Sequence, residues 1–327
     1  MRILWECVAV IKRFLVVGDN HLDSKSPSSR LDNYMEAGLM ELKETLKIAK
    51  ATNCDYYILL GDLFHRIDVG GECRNRAIEI LASDEGEPWP FEKYLIIGNH
   101  DIAHDPEKMI KSPAQSLVSA GILKCVDAIP GLIRFKHFTP TLDQELRDGA
   151  LEMHDEKIIC LHASITDKPL IFDHVLFEDL KVNPKTKLLF SGHIHRKMEA
   201  EKDGVKFFNP GSVGRPEISS DFEKNKVSVL LCQFDFDTDD YKTKTVELKY
   251  SLPYDVIFDL DANKKKKIEN KNTELFIDEI TNVSMESEIS SDIIEDLILF
   301  AKKGNISKDV SEMAVQTVNI IKAGGEL

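Results

Sequence analysis

The stretch FLVVGDNH, residues 14–21, decides the fold class of this chain. Its four apolar residues have the length and composition of a buried strand, and they end at Gly18 with Asp19 and His21 close behind. The same arrangement recurs twice further along, in DYYILLGDLFH at 55–65 and YLIIGNHD at 94–101. We therefore predict three buried strands, each followed at once by polar side chains.

Helical patterns separate these three strands. Apolar residues recur at helical spacing in two segments, residues 34–51 and the segment after Arg74. A strand–helix–strand–helix–strand order predicts a right-handed parallel core. Four later apolar runs indicate strands with little helix between them, at 157–161, 187–190, 205–208 and 226–234. We expect an α/β sandwich of two mixed β-sheets flanked by helices, the second sheet partly antiparallel.

The composition changes after about Leu252. A lysine run follows at 264–267, which we expect to be a solvated loop, and glycine becomes rare until Gly304. Two helical patterns close the chain, with Gly304 and Asn305 as the break between them. This pattern predicts a catalytic domain over residues 1–252 and a small α+β C-terminal module over residues 253–327 that ends in two helices.

Composition and charge restrict the class of protein. The hydrophobic content of 43% and the charged content of 30% are typical of a soluble globular protein. No stretch reaches the roughly 18 apolar residues that cross a bilayer, and residues 1–11 lack the features of a signal peptide. Six scattered cysteines without a Cys-x-x-Cys pair indicate reduced thiols and a cytoplasmic location. The net charge of −14 argues against unaided, non-specific nucleic-acid binding.

Polar side chains cluster in five short motifs at or just after predicted strand ends. The motifs are GDNH at 18–21, GDLFH at 61–65, GNHD at 98–101, LHA at 161–163 and GHIH at 192–195. Ligands in open α/β folds bind beyond the carboxyl ends of the strands. A single histidine at a strand end is as often structural as functional, whereas five such motifs in this order are a specific signal.

These motifs combine carboxylates, imidazoles and an amide oxygen. Such a mixed nitrogen and oxygen site suits Mn²⁺, Fe²⁺ or Zn²⁺ and suits Ca²⁺ poorly. Seven ligands are too many for one ion with an open position, and they fit a pair of ions about 3.5–4 Å apart that share a carboxylate. A pair of this kind lowers the pKa of water and stabilises charge on phosphorus, so the motifs predict a phosphoesterase.

The five motifs resemble those of the calcineurin-like metallophosphoesterase superfamily over roughly the first 215 residues. The resemblance implies a metallophosphoesterase-type fold and seven metal ligands. Three of them bind the first ion, namely Asp19, His21 and His195. Three others bind the second ion, namely Asn99, His162 and His193, and Asp62 bridges the two ions.

The resemblance also implies three residues with catalytic roles. His100 corresponds to the histidine that protonates the leaving alkoxide or steadies the scissile phosphate, and Asp101 would orient its imidazole. His65, three residues after Asp62, makes the GDLFH motif similar to that of SbcD-type DNA-repair exonuclease subunits, and residues 23–30 look similar to those of some phage-type members. In that branch a histidine at this place helps to position the phosphate or the DNA strand.

The SbcD resemblance carries further expectations. It implies two divalent ions, first of all Mn²⁺, with Fe²⁺ or Zn²⁺ as alternatives. It implies a DNA substrate, exonuclease action on duplex ends and endonuclease action on single strands or hairpins. It also implies an SbcC-type ATPase partner engaged by the C-terminal module, a homodimer as a possible assembly, and a cytoplasmic location, in the host if the protein is phage-encoded. The NPGS motif at 209–212 is shared more widely and selects no branch.

Two other hypotheses remain open at the level of sequence. A stand-alone phosphodiesterase or phosphatase for a nucleotide or a phosphoprotein would suit the acidic net charge and the lack of a basic stripe. A metal-binding scaffold for partner assembly is the third hypothesis, and the complete ligand set counts against it. Arg30 and Arg215 could contact phosphate or form surface salt bridges. The remaining histidines are expected at the surface or in a second layer, namely His104, His137, His154 and His174.

Overall fold

The computed structural model describes residues 10–219 and 226–260, together with residues 315 and 316. The chain divides into two compact units, Met1–Phe258 and Asp259–Leu327. Nearly all described residues belong to the first unit. The predicted C-terminal helices and the lysine run at 264–267 lie outside the described residues, so the predicted C-terminal module and its boundary stay predictions.

A five-stranded mixed sheet contains the three strands that open the chain. In spatial order its strands are β15 (Tyr241–Glu247), β14 (Ser228–Asp235), β1 (Ile11–Val17), β2 (Tyr56–Leu59) and β5 (Glu92–Leu95). Strands β1, β2 and β5 are parallel, and β14 and β15 extend the sheet in antiparallel pairing. The predicted parallel core is confirmed.

A six-stranded mixed sheet forms the second half of the sandwich. Its order is β12 (Met198–Lys202), β13 (Val205–Asn209), β11 (Leu188–Gly192), β8 (Ile158–His162), β7 (Ile133–Lys136) and β6 (Ala128–Ile129). The four inner strands are parallel, and the two edge strands are antiparallel to them. Two short strand pairs lie outside both sheets, β3 (Ser83–Asp84) with β4 (Glu87–Pro88) and β9 (Ile165–Thr166) with β10 (Val175–Leu176).

Helices cover the outer faces of the two sheets. They are α1 (Tyr34–Ala51), α2 (Gly71–Ala82) and α3 (Pro113–Ser119) on the first sheet and α4 (Leu142–Arg147) on the second. The described residues also contain a single helical turn at Tyr254–Ile257 and 3₁₀ turns at Pro106–Lys111 and Phe177–Asp179. Helix α1 begins where the Asn33 side chain accepts a hydrogen bond from the N–H of Glu36. Its apolar stripe, including Leu42 and Leu46, is fully buried against the first sheet.

Successive side chains of each strand point to opposite faces of its sheet, and this alternation produces three separate apolar cores. In β1, Leu15 packs with the core beneath α1 and α2, whereas Phe14 faces the second sheet, where its ring meets that of Phe190 edge-on at 5.9 Å. In β11, Leu189 faces the core beneath α4. The result is a sandwich of two mixed sheets flanked by helices, as the sequence predicted.

Three details of the fold bear on the sequence predictions. The third strand, β5, covers 92–95 rather than the predicted 94–97, because its ladder with β2 ends at the pair Leu95 and Leu59. The five cysteines among the described residues are free thiols. Within the described segments, no helix combines the length and apolar character that a membrane span requires.

Candidate metal centre

The carboxyl ends of five parallel strands meet at one end of the sandwich. Strands β1, β2 and β5 of the first sheet deliver Asp19, Asp62 and Asn99 on the loops that follow them. Strands β8 and β11 of the second sheet deliver His162 and His193. Together with His21 and His195 these residues form a cluster that we call the metal centre. All but His193 and His195 are buried.

The first half of the metal centre contains Asp19, His21 and His195. Their ligand atoms lie within 4.8 Å of one another. The Nε2 atoms of His21 and His195 are 2.8 Å apart, and His195 Nε2 is 3.5 Å from Asp19 Oδ2. This is the same trio that the resemblance assigns to one ion.

The second half contains Asp62, His162 and His193, again with ligand atoms within 4.8 Å of one another. Asn99 completes it, because its Oδ1 lies 2.8 Å from His193 Nδ1 and 2.9 Å from His162 Nε2. The Oδ2 atom of Asp62 is 3.4 Å from His162 Nε2 and 3.8 Å from His21 Nε2. Asp62 therefore stands between the two halves, the position that a bridging carboxylate requires.

Three residues of the metal centre adopt left-handed backbone conformations, which are uncommon for residues other than glycine. The φ angles are 47° at His21, 46° at Asp62 and 76° at His193. Hydrogen bonds hold these turns in place: the N–H of His21 donates to the carbonyl oxygen of Asp62 at 2.8 Å, and the N–H of His193 donates to Asp19 Oδ2 at 3.0 Å. Such conformations cluster at functional sites, where surrounding contacts enforce them.

Two glycines leave room for the metal centre. A Cβ atom on Gly61, whose φ is +113°, would lie 2.2 Å from Nδ1 of His162. A Cβ atom on Gly98 would lie 2.1 Å from Oδ1 of Asp62. Both distances are far below van der Waals contact, so any side chain at either position would displace a residue of the centre.

Burial keeps most imidazoles of the metal centre neutral. It lowers the pKa of His193 to about 3 and that of His195 to about 4, and it holds the pKa of His21 well below its ordinary value. Neutral imidazole is the form that binds a metal ion. The ring nitrogens of these side chains therefore present lone pairs at pH 7.

The buried acids and His162 shift the pKa values of one another. Burial raises the pKa of Asp19 to about 7. Burial would also raise the pKa of Asp62, but His162 and His21 beside it hold it below its usual range. For His162, burial would lower the pKa, yet the neighbouring Asp62 carboxylate raises it to about 9. Such a concentration of buried acids and bases is one that a bound cation would stabilise.

The donor set fits two divalent cations. Two neutral imidazole nitrogens 2.8 Å apart, as in His21 and His195, require a shared proton or a cation between their lone pairs. His162 Nδ1 lies 2.8 Å from the carbonyl oxygen of Leu60, so this nitrogen carries a proton, and Nε2 is directed at Asn99 and Asp62. The mixture of nitrogen and oxygen donors suits Mn²⁺, Fe²⁺ or Zn²⁺.

His65 and His100 form a stacked pair beside the first half of the metal centre, with ring centroids 4.9 Å apart. His65 Nδ1 lies 3.3 Å from Nδ1 of His21, and both rings of the pair are partly exposed. The N–H of His100 donates to Asp62 Oδ1 at 2.8 Å, and its ring Nδ1 lies 2.8 Å from the carbonyl oxygen of His65. Both predicted catalytic histidines therefore border the centre and remain accessible to a substrate.

Asp101 differs from the expectation that it orients the His100 imidazole. Its carboxylate is fully buried and accepts hydrogen bonds from the N–H groups of Gly98, at 3.0 Å, and Phe64, at 3.3 Å. The ring of His100 instead contacts the carbonyl oxygen of His65. Asp101 thus joins the GNHD and GDLFH loops, because the turn after Asn99 directs its side chain inward.

Arg30 and Arg215, the two arginines near the motifs, do not form surface salt bridges. Arg215 is 4% exposed, lies 3.5 Å from Glu41, and donates to the carbonyl oxygen of Leu252. Arg30 donates to the carbonyl oxygen of Arg215 and to Asp32. The two arginines belong to a buried network beside α1. Their contacts could not be predicted from their spacing in the sequence.

The other histidines occupy varied positions. His104 is exposed, yet its Nε2 lies 3.4 Å from the amide nitrogen of Asn99. His137 accepts a hydrogen bond from the N–H of Ile97. For His154 and His174, no contact with the metal centre occurs among the described residues.

Two residues that support the metal centre were not predicted from the sequence. The hydroxyl of Tyr34 donates to the carbonyl oxygen of His21 at 2.8 Å, and the ring of Phe138 stacks beside that of His193, with centroids 6.4 Å apart. Tyr34 begins α1 and Phe138 follows β7, so neither belongs to a motif at a strand end. Only the fold brings them to the centre.

Comparison with known families identifies the architecture. The sequence model of the calcineurin-like phosphoesterases matches residues 12–197, which is more than half of the 327 residues. The chain belongs to the calcineurin-like phosphoesterase family. It is accordingly a hydrolase of phosphate esters, and its His and Asp clusters are candidate ligands for the divalent metals of a metallophosphoesterase.

Solved structures similar to this chain share little sequence identity with it. No curated protein matches the sequence. Among solved structures the chain is similar to TT1561 of Thermus thermophilus, with 13% identity over 72% of this chain and 99% of that one, and a TM-score of 0.42. It is also similar to a dimetal phosphatase from Danio rerio, with 11% identity over 73% and 99% and a TM-score of 0.44. The phosphoesterase Yfce from E. coli gives 13% identity over 72% and 100% and a TM-score of 0.37.

Proposed function

We propose that this calcineurin-like phosphoesterase is an SbcD-like DNA nuclease subunit that hydrolyses phosphodiester bonds in DNA repair, recombination or replication. The observation that carries the proposal is the position of His65. Its ring stacks on His100 and reaches the metal centre at His21, so a phosphodiester bound there would meet both histidines. A second histidine at the site suits a diester, which presents two ester oxygens to be held in place.

The proposal assigns a role to each member of the metal centre. Asp19, His21 and His195 would hold one ion, Asn99, His162 and His193 would hold the other, and Asp62 would contact both. We propose Mn²⁺ as the physiological ion, with Fe²⁺ or Zn²⁺ compatible with the same donors. Bound there, two such ions would lower the pKa of water and offset the charge of the phosphate.

His100 is proposed as the proton donor to the leaving oxygen. Its Nδ1 donates to the carbonyl oxygen of His65, which leaves Nε2 as the nitrogen that can transfer a proton. The N–H of His100 is anchored to Asp62, so its ring is held at a fixed distance from the metal centre. His65 would position the phosphate or the strand beside it.

The proposal includes partners. An SbcC-type ATPase would engage the C-terminal part of the chain, and two copies could assemble as a homodimer. A basic partner would also offset the net charge of −14, which opposes binding to the phosphate backbone of DNA. The same net charge favours the competing function, a stand-alone phosphodiesterase or phosphatase acting on a nucleotide or a phosphoprotein.

A Mn²⁺ titration against two substrates separates these functions. One substrate is an end-labelled DNA duplex with a hairpin loop, and the other is bis-p-nitrophenyl phosphate. Cleavage of the DNA that disappears with chelator and in Asp62→Ala, but persists in Asp155→Ala, supports the nuclease. Asp155 is a suitable control because its side chain is 72% exposed and pairs only with Lys185 among the described residues. Hydrolysis of the small diester alone, with DNA left intact even when an ATPase partner is added, would favour the stand-alone enzyme.

A further inference from the structure

A cavity of about 380 Å³ opens beside the metal centre. Its inner wall contains His21, His65, His100 and His195, which are the ring side chains that would face the scissile phosphate. A diester held at the metal centre has two ester substituents. Because the cavity adjoins the centre directly, it is the space available to one of these substituents.

Two other segments line the cavity together with Tyr34 and Arg66: Asp23 with residues 25–27, and residues 216–217. Hydrogen bonds hold the first of these segments in place. Asp23, only 3% exposed, accepts from the N–H of Lys25 at 3.2 Å, and the hydroxyl of Ser24 accepts from the N–H of Gly70 at 3.0 Å. The cavity is thus bounded by a fixed loop and is part of the folded molecule.

Two cationic side chains line this cavity. Arg66 donates from one terminal nitrogen to Asp23 at 2.8 Å, and its buried Nε has no hydrogen-bond partner among the described residues, although Asp68 lies 3.7 Å away. A guanidinium has five N–H groups, so most of its donors remain available. Lys25 is exposed and makes no ion pair with any residue in the described segments.

Among the described residues, the acidic groups Asp23 and Asp68 near the cavity pair with Arg66 and not with Lys25. Asp23 accepts from Arg66, and Glu217, which also lines the cavity, is exposed to solvent. Lys25 and the remaining N–H donors of Arg66 can therefore bind an anion. Bidentate or point-charge contacts from Arg and Lys are the usual means of holding phosphate.

The volume of the cavity limits what can enter it. Small-molecule sites range over roughly 300–1,000 Å³, so a cavity of this size is large enough for one nucleotide-sized group. A strand end or an unpaired nucleotide that has left the duplex would fit it, as happens in enzymes that act on extruded nucleotides.

We propose that the cavity binds the nucleotide adjoining the scissile phosphate, and that Lys25 and Arg66 contact a second phosphate carried by that nucleotide. The inference rests on the proposed phosphodiester hydrolysis at the metal centre, and it narrows the substrate class to diesters with a flanking phosphate. A substrate without that phosphate would fill the same cavity and lack these contacts.

The test compares thymidine dinucleotides with and without a terminal phosphate, TpT against pTpT and TpTp, in the presence of Mn²⁺. We expect kcat/KM for one phosphorylated form to exceed that for TpT by about tenfold or more, as charge-assisted contacts allow. Lys25→Met and Arg66→Gln should each reduce this ratio by several-fold. Lys185→Met and Arg76→Gln are matched controls, because both residues pair with acids away from the cavity, and the ratio should be unchanged in both.

Equilibrium binding supplies a readout that does not depend on turnover. Thymidine 3′,5′-bisphosphate should bind the intact protein more tightly than either monophosphate, and Lys25→Met should abolish the difference. Arg66→Gln leaves the buried carboxylate of Asp23 without its ion-pair partner, so the melting temperature of this variant is compared with that of the wild type. If Arg66→Gln fails to fold, Lys25→Met alone carries the test.

The outcomes separate the two proposals. The cavity inference is overturned if the wild type shows a ratio near one between kcat/KM for the phosphorylated dinucleotides and kcat/KM for TpT. It is also overturned if Lys25→Met and folded Arg66→Gln keep the wild-type ratio. Both conclusions hold even if bis-p-nitrophenyl phosphate is hydrolysed. Absence of all diester hydrolysis, with the preference for the bisphosphate intact and lost in Lys25→Met, overturns the proposed function and leaves the cavity as a phosphate-binding site.

Discussion

Removal of one hydroxyl group, in Tyr34→Phe, tests how the fold holds a metal-centre histidine in position. Tyr34 is 4% exposed, and its hydroxyl donates to the carbonyl oxygen of His21 at 2.8 Å. His21 itself has a φ of 47°, a conformation that its neighbours must enforce. The substitution leaves the tyrosine ring and its packing in place and removes only the donor.

The magnitude follows from the burial of the carbonyl group. A buried acceptor that loses its donor costs about 1–3 kcal/mol, and His21 has no water-exposed surface through which to recover it. We expect the free energy of unfolding of the metal-free protein to fall by about 1–2 kcal/mol. We also expect Mn²⁺ to bind about tenfold more weakly at one of the two sites, because groups that orient a metal ligand contribute that much to affinity.

Chemical denaturation in chelator measures the first effect, and calorimetric titration with Mn²⁺ measures the second. Tyr57→Phe is the matched control: the Tyr57 hydroxyl is equally buried and lies 2.7 Å from the hydroxyl of Thr45, away from the metal centre. The control should lose comparable stability and bind Mn²⁺ as the wild type does. Equal Mn²⁺ affinity in both variants would refute the reasoning, as would a loss of stability below about 0.5 kcal/mol in Tyr34→Phe.

Three further predictions concern the metal centre and its surroundings. His100→Ala should retain both ions in elemental analysis and lose about 10²–10⁴-fold in kcat, whereas loss of metal would make His100 a ligand. Gly98→Ala should lower metal occupancy, because its Cβ atom would lie 2.1 Å from Asp62 Oδ1; full occupancy and activity would contradict that geometry. Burial raises the pKa of Glu41 from 4.5 to about 7, so the stability that this group contributes is complete below pH 4.5 and is lost as the pH rises through 7. Thermal unfolding from pH 4.5 to 8 should therefore show a decline in the wild type that is smaller in Glu41→Gln, and parallel curves would contradict it.

Local sequence signals were sufficient where one segment determines its own structure. Helix α1 spans the predicted residues 34–51 because the apolar stripe that predicts it, which includes Leu42 and Leu46, lies entirely within the helix. The parallel strands β1 and β2 were also predictable, since strands buried on both faces are continuous apolar runs.

Edge strands and short elements could not be predicted in this way. Strand β15 reads YKTKTVE and alternates between exposed and half-buried residues, so it has no apolar run to mark it. It is a strand because it pairs with β14 from Ser228 to Phe234, a partner that local sequence does not reveal. The same holds for β6 and β12 at the edges of the second sheet and for the short helix α4.

The candidate site also has some features that the sequence predicts and others that it does not. Residue types and strand ends indicated which side chains converge, because parallel strands end at one edge of a sheet. They did not indicate the left-handed turns at Asp62 and His193, nor the side-chain direction that takes Asp101 away from the ring of His100. Those features depend on hydrogen bonds between loops, which link residues from separate motifs.

The two halves of the metal centre each draw on both sheets. Asp19 and His21 follow β1 of the first sheet, whereas His195 follows β11 of the second, and the other half is divided in the same way. The spacing of the ligands is therefore fixed by the apolar core between the sheets, where Phe14 meets Phe190. An ion bound to ligands from both sheets would in turn oppose their separation, so metal affinity and the free energy of unfolding must be linked. A substitution in that core would for this reason alter metal binding without touching a ligand.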